Sequence, residues 1–133
     1  MFHINEASGK AIYEQIMDQV KEAVFKEYLK PGDSLPSVRK LALTLSVTPN
    51  TVAKAYQLLE KEKIIVTIRG KGAFIAKNIS YEMDLEKLNR IKEDIRGSLV
   101  EMKYLGFDEA ETIKLIQDIY VDLEGERNGN HRN

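Results

Sequence analysis

Residues 36–76, PSVRKLALTLSVTPNTVAKAYQLLEKEKIIVTIRGKGAFIA, leave the chain few ways to fold. Val38, Leu41, Ala42 and Leu45 fall at i, i+3, i+4 and i+7, and Val52, Ala55, Tyr56 and Leu59 repeat that spacing. Each set lays one apolar stripe along a helix. Only Ser46-Val47-Thr48 separates the two, so the helices must meet at a tight corner, with Val47 plugging it. Two short helices joined this way read as a helix-turn-helix. Thr48 is expected to cap the second helix, its hydroxyl accepting from the backbone N–H of Asn50 or Thr51. Pro49 suits the first helical position, where a missing N–H costs little.

The outward face of that second helix carries Asn50, Thr51, Ala53, Lys54 and Gln57. Amide and hydroxyl groups can meet base edges or phosphates, Ala53 permits close approach, and Lys54 is a point charge for phosphate. The competing reading is a solvated face that binds nothing. The segment after this helix favours DNA. Ile64-Ile65-Val66-Thr67-Ile68 is a β-branched run, Arg69-Gly70-Lys71-Gly72 a turn and Ala73-Phe74-Ile75-Ala76 a second short strand. This pattern predicts a β-hairpin with a cationic tip, a wing beside the recognition helix. Its glycines let the backbone lie against a phosphate or enter a minor groove, and Arg69 and Lys71 supply charge. As a nucleotide-phosphate loop, Gly70-Lys71-Gly72 lacks Walker-type spacing and a strand-to-helix setting.

Residues 10–76 resemble the winged helix-turn-helix domain of the GntR family of bacterial transcription regulators. The resemblance rests on Pro31-Gly32-Asp33-Ser34-Leu35-Pro36-Ser37-Val38-Arg39-Lys40-Leu41-Ala42, on Asn50-Thr51-Val52-Ala53-Lys54-Ala55-Tyr56 and on Arg69-Gly70-Lys71-Gly72-Ala73-Phe74. The form from Thr48 to Tyr56, with a short C-terminal part, is similar to the YtrA-like subfamily. The commoner family pattern has an arginine where Pro49 stands and often another near Ala53. Neither is present, so Asn50, Thr51 and Arg39 carry the expectation of sequence reading. Arg39 points off the apolar face, and the resemblance implies that it reaches DNA; a surface ion pair is the plain alternative. The candidate DNA-binding set is Ser37, Arg39, Thr48, Pro49, Asn50, Thr51, Lys54, Arg69, Gly70, Lys71 and Gly72. The resemblance further implies a repressor of a transporter operon that includes its own gene.

The formal net charge of −1 hides an asymmetry. Residues 1–78 hold twelve basic against eight acidic residues, a net +4, and residues 79–133 hold eight against thirteen, a net −5. Basic charge on one module and acid on the other fits a nucleic-acid surface joined to something different. Cysteine is absent, which removes disulfides, thiolate nucleophiles and cysteine metal sites. No signal peptide or membrane span is legible, so a cytoplasmic location is expected. His3 and His131 stand at opposite ends of the chain, leaving a metal site or a Ser/His/Asp triad without its histidine. No enzyme activity, cofactor or metal is expected.

Ahead of the motif, Phe2 and Ile4 alternate with polar residues and suggest a brief strand. Residues 10–28 predict a helix burying Ile12, Ile16, Val20, Ala23 and Val24, with Tyr13 and Phe25 extending the stripe. Pro31 and Gly32 end it, and Ser37 is expected to cap the next helix. Beyond a linker over 77–81, Leu85, Leu88, Ile91, Ile95, Leu99 and Met102 step at helical spacing. Gly106 stops that helix, with Phe107 at the corner, and Asp108 with Glu111 forms a capping box for another. Its apolar face is Ile113, Ile116, Ile119, Tyr120 and Leu123.

The predicted fold is therefore mainly α with a small β-hairpin: a winged helix-turn-helix over 1–78, a two-helix dimerisation part over 79–126 and a disordered tail over 127–133. Two helices cannot form a sizeable core alone. The winged domain can cover part of their stripes and a second copy of the chain the rest, so Leu88, Ile91, Ile95, Leu99, Ile113, Ile116 and Tyr120 are the expected dimer interface. A two-fold dimer would present two recognition helices to a palindromic operator. With those apolar positions committed to packing, a roomy pocket for a small-molecule effector is not expected. A winged-helix module that binds protein is the alternative function.

Overall fold

The computed structural model describes residues 2–132, with side chains to residue 125. It is mostly helical with one two-stranded antiparallel hairpin. A 3-10 turn at Glu6–Ser8 precedes α1 (Ile12–Phe25), α2 (Val38–Leu45), α3 (Pro49–Lys61), β1 (Ile65–Ile68), β2 (Gly72–Ile75), α4 (Leu85–Tyr104) and α5 (Glu109–Arg132). The chain divides into two compact units, residues 1–80 and 81–133.

The first unit is built around α3, which packs against α1, α2 and β1. Val52, Ala55 and Leu59 of α3 are fully buried, as are Ile16 and Val20 of α1 and Ile75 of β2. Leu41, Ala42, Ile65 and Ala73 complete the layer between helices and hairpin. Burying a leucine-sized side chain contributes about 1.5–3 kcal/mol, so this short list carries most of the unit's stability. The corner between α2 and α3 turns on Ser46, whose φ is +56°, and the N–H of Val47 reaches back to the Ala42 carbonyl at 3.0 Å. Val47 is half-buried against the core, the expected plug.

Two local expectations are corrected. Ile12, at the very start of α1, is 36% exposed, and Phe25, at its end, 39%. Gln15 takes a buried place instead, its amide bonded to the Asn5 N–H at 2.9 Å and to the carbonyls of Asn5 and Lys10 at 3.0 and 2.9 Å. A buried amide is tolerable because it is satisfied in this way. Second, residues 2–5 form no strand, because the element alongside them is a helix. Gln19 and Gln15 offer side-chain amides where a strand would offer backbone, and Phe2 and Ile4 are half-buried against the core. The expected tail over 127–133 falls outside the residues described with side chains. Asn133 lies outside the described residues.

β1 and β2 pair in register from Ile65 with Ile75 to Ile68 with Gly72. The far edge of β2 is covered by residues 32–35. Leu35 donates to the Ala73 carbonyl and Ile75 to the Asp33 carbonyl, both at 2.8 Å.

In the second unit Asp84 caps α4 by accepting from the Lys87 N–H. Gly106, at φ +90°, ends α4, and the Phe107 N–H returns to the Met102 carbonyl at 3.1 Å. Asp108 and Glu111 form the expected reciprocal capping box at 2.8 and 3.2 Å. Among the described residues no helix is long and apolar enough to cross a membrane.

Candidate nucleic-acid interface

The first turn of α3 presents Thr48, Pro49 and Asn50 to solvent, with Thr51 half-buried. Pro49 occupies the first helical position as expected. Thr48 stands at the N-cap but its hydroxyl makes no cap bond; it pairs with the Thr51 hydroxyl at 2.9 Å. The Thr51 N–H takes the Thr48 carbonyl instead, at 3.1 Å. A hydroxyl can choose between a backbone donor and a neighbouring hydroxyl at small cost, and here the neighbour wins. Pro49 has no N–H, so the Asn50 N–H is the open donor of the turn, a favourable setting for an anion.

Ser37 caps α2, its hydroxyl oxygen accepting from the Lys40 N–H at 3.1 Å. The hydroxyl hydrogen stays available to a phosphate. Arg39, two residues on, is exposed, and among the described residues it is in no ion pair, so the surface-pair alternative is not what the structure holds. Arg69 and Lys71 stand at the hairpin tip, exposed and equally without a carboxylate partner. Gly70 and Gly72 have φ of +81° and +113°, and a Cβ at either would meet nothing within 4 Å. The turn geometry, not crowding, requires glycine there, and the open space above them leaves room for another molecule. The structure thus gathers the candidate residues into the start of α2, the start of α3 and the wing tip. Lys54 is exposed too, but its ammonium rests over the Tyr13 ring of α1, 4.0 Å from the centroid.

A cleft of about 260 Å³ runs between α3 and the hairpin, with Ala53 and Ala73 in its floor and Ser37, Gln57 and Gly72 at its margins. Two contacts hold its walls. Glu60 accepts from the Thr67 N–H at 2.9 Å, tying the wing to α3. Tyr56 donates its hydroxyl to the Pro36 carbonyl at 2.7 Å, tying α3 to the lead-in of α2. Burial pushes the Tyr56 phenol up to about 12. Neither role is visible in the sequence, where Tyr56 reads as part of an apolar stripe and Glu60 carries no motif. Glutamate just before a β-branched run is a weak hint at best.

In the second unit the expected interface residues lie open. Ile91, Ile95, Leu99, Ile113 and Ile116 are between 40% and 50% exposed, Tyr120 is 63% exposed, and Leu88 is half-buried.

This geometry has counterparts. Residues 12–75 match the family described as bacterial regulatory proteins, gntR family. The HTH-type transcriptional repressor YtrA of Bacillus subtilis is 41% identical over 94% of this chain and 96% of its own length. A solved structure of a transcriptional antiterminator from Listeria monocytogenes EGD-e superimposes with a TM-score of 0.79 at 38% identity, covering 92% of each chain. YtrA from Sulfolobus acidocaldarius, a GntR-family transcription factor, gives 0.55 at 37% identity over 73% of this chain and 95% of that one. With the helix-turn-helix and its wing inside the matched stretch, and near full-length relatives that regulate transcription, the chain belongs to the GntR family of bacterial transcription regulators.

Proposed function

We propose that the chain is a dimeric repressor that binds a palindromic operator, recognising sequence through Arg39 and Asn50 and anchoring to the backbone through Ser37, Thr51, Lys54 and the wing. The observation that carries this reading is the set of exposed, uncompensated groups Arg39, Asn50, Arg69 and Lys71 on three elements of one small unit. Cations left without carboxylate partners at a helix-turn-helix and its wing are suited to a polyanion. The stripes on α4 and α5 are the inferred dimer contact, and two-fold symmetry would set two copies of α3 on two half-sites. Repression is supported by the repressor of Bacillus subtilis that aligns along nearly the whole chain. We infer that the regulated genes are its own and those of a membrane transporter, the target that the resemblance implies. A footprint on the DNA upstream of the protein's own gene tests this. The expected result is a protected, inverted repeat whose occupancy falls steeply with salt. Salt-insensitive association with protein and no protection would overturn it in favour of a protein-binding module.

A further inference from the structure

Lys54 stands on the outward face of α3, while Tyr13, 41 residues earlier, stands in the first turn of α1. The Lys54 ammonium nevertheless lies 4.0 Å from the centroid of the Tyr13 ring. Tyr13 is half-buried and packed against the core, so its ring is a fixed platform. The backbones beneath both residues are held by Ile16 of α1 and Val52 and Ala55 of α3, all fully buried. Among the described residues no carboxylate pairs with Lys54, so the ring is its partner.

A lysine on an open helix face moves through many rotamers, and immobilising it at the moment of binding costs conformational entropy. The negative face of an aromatic ring holds an ammonium without neutralising it, as a carboxylate would. The charge stays available to an anion and its position is set in advance. Its direction also matters. α1 packs along α3, so an ammonium drawn to a ring on α1 lies at the flank of α3 and not straight ahead of it. A cation at the flank of a helix seated in the major groove meets the sugar–phosphate strand at the groove's edge, not the base edges.

We infer that Tyr13 is a positioning residue for DNA binding: its ring holds the Lys54 ammonium at the α1 side of α3, ready for a backbone phosphate. This rests on the reading of α3 as the DNA-contacting helix. Because a phosphate contact is indifferent to sequence, its test needs no operator. The intact chain is titrated with a mixed-sequence DNA duplex over a range of salt, as wild type, Tyr13→Phe, Tyr13→Leu, Lys54→Met and the double variant Tyr13→Leu/Lys54→Met. NMR of the free protein tracks the Lys54 ε-methylene protons.

The ring current should move those protons upfield in wild type and Tyr13→Phe but not in Tyr13→Leu. Lys54→Met should lower the salt slope by about one. Tyr13→Leu should weaken binding about two- to five-fold, the scale of an exposed cation–π contact. Tyr13→Phe should bind as wild type, and the double variant should bind no worse than Lys54→Met alone. Unshifted ε-methylene protons in wild type overturn the proposal. So does a Tyr13→Leu protein that binds as wild type while Lys54→Met loses its unit of slope; in that case the phosphate contact stands and the positioning role does not. A Lys54→Met protein with the wild-type slope removes the phosphate contact, and the proposal with it. If Tyr13→Leu fails to fold, Tyr13→Met replaces it and the same outcomes apply.

Discussion

Asn50 meets solvent in the first turn of α3 with both a donor and an acceptor unengaged. An amide so placed can be bidentate to adenine, and Arg39 on α2 is the single arginine of the helix-turn-helix available to a guanine. Asn50→Ala and Arg39→Ala should therefore each cost roughly 1–3 kcal/mol on the operator and less on scrambled duplex. Binding curves on both duplexes decide it; an unchanged ratio of specific to non-specific affinity would move base reading off these residues. Tyr56 works from behind that surface. Its phenol is raised from 10.0 to about 12 by burial, so folding favours the neutral form. The stabilisation is complete below the unfolded value and is lost as pH rises through the folded one. Between about pH 10 and 12 the unfolded state ionises first, and stability should fall by about 2–3 kcal/mol. Tyr56→Phe should lose about 1–2 kcal/mol at neutral pH, because the Pro36 carbonyl loses its donor. It should also lack this part of the alkaline decline. Urea midpoints across that range check both; parallel alkaline declines in the two proteins would assign the loss to other groups.

At the scale of the elements, the wing is held from two sides. Glu60 bonds the Thr67 N–H from α3, and residues 32–35 bond the outer edge of β2. The hairpin base is thus anchored while Arg69, Gly70 and Lys71 at the tip stay open. An anchored base with a free cationic tip fits backbone and minor-groove contact more than base choice. Replacing Arg69 and Lys71 together by alanine should weaken binding to every sequence alike and flatten the salt slope by up to about two units. A double variant with the wild-type slope would mean that the tip does not touch the backbone. What could be read from the sequence at this scale was whatever depends on near neighbours. The 3.6-residue spacing found α2 and α3, Ser37 and the Asp108–Glu111 box declared their helix starts, and Gly70 and Gly72 marked the hairpin turn. The rest depends on groups brought together only by folding. Gln15 and Gln19 replacing a strand, residues 32–35 edging β2, Glu60 on Thr67 and Tyr13 under Lys54 carry no local mark. The Thr48 hydroxyl missed its cap for a different reason: two partners of similar strength compete within one turn.

At the scale of the molecule, charge and apolar surface are divided between the two units. The basic excess lies in residues 1–78 and the acidic excess beyond them, where α4 and α5 leave half-exposed isoleucines and leucines in helical stripes. Acidic helices with apolar stripes have no affinity for DNA, yet such stripes are costly to leave in water, about 25 cal/mol per Å² of apolar surface. A second copy of the chain offers identical stripes and needs no other partner. The intact protein is therefore expected to be dimeric in light scattering, and residues 1–80 alone monomeric. Ile116 provides the sharper test because it is 40% exposed in the single chain. A glutamate there can remain hydrated in the monomer, so Ile116→Glu should fold, whereas in a dimer contact it would place a charge in an apolar seam. The variant should become monomeric. It should also lose operator affinity by about 10²-fold or more, because each winged unit would then bind its half-site without the high effective concentration that linkage provides. Affinity for a single half-site should not change. A monomeric wild type would sink the two-fold arrangement, and an Ile116→Glu protein that stays dimeric with full operator affinity would place the contact on another face.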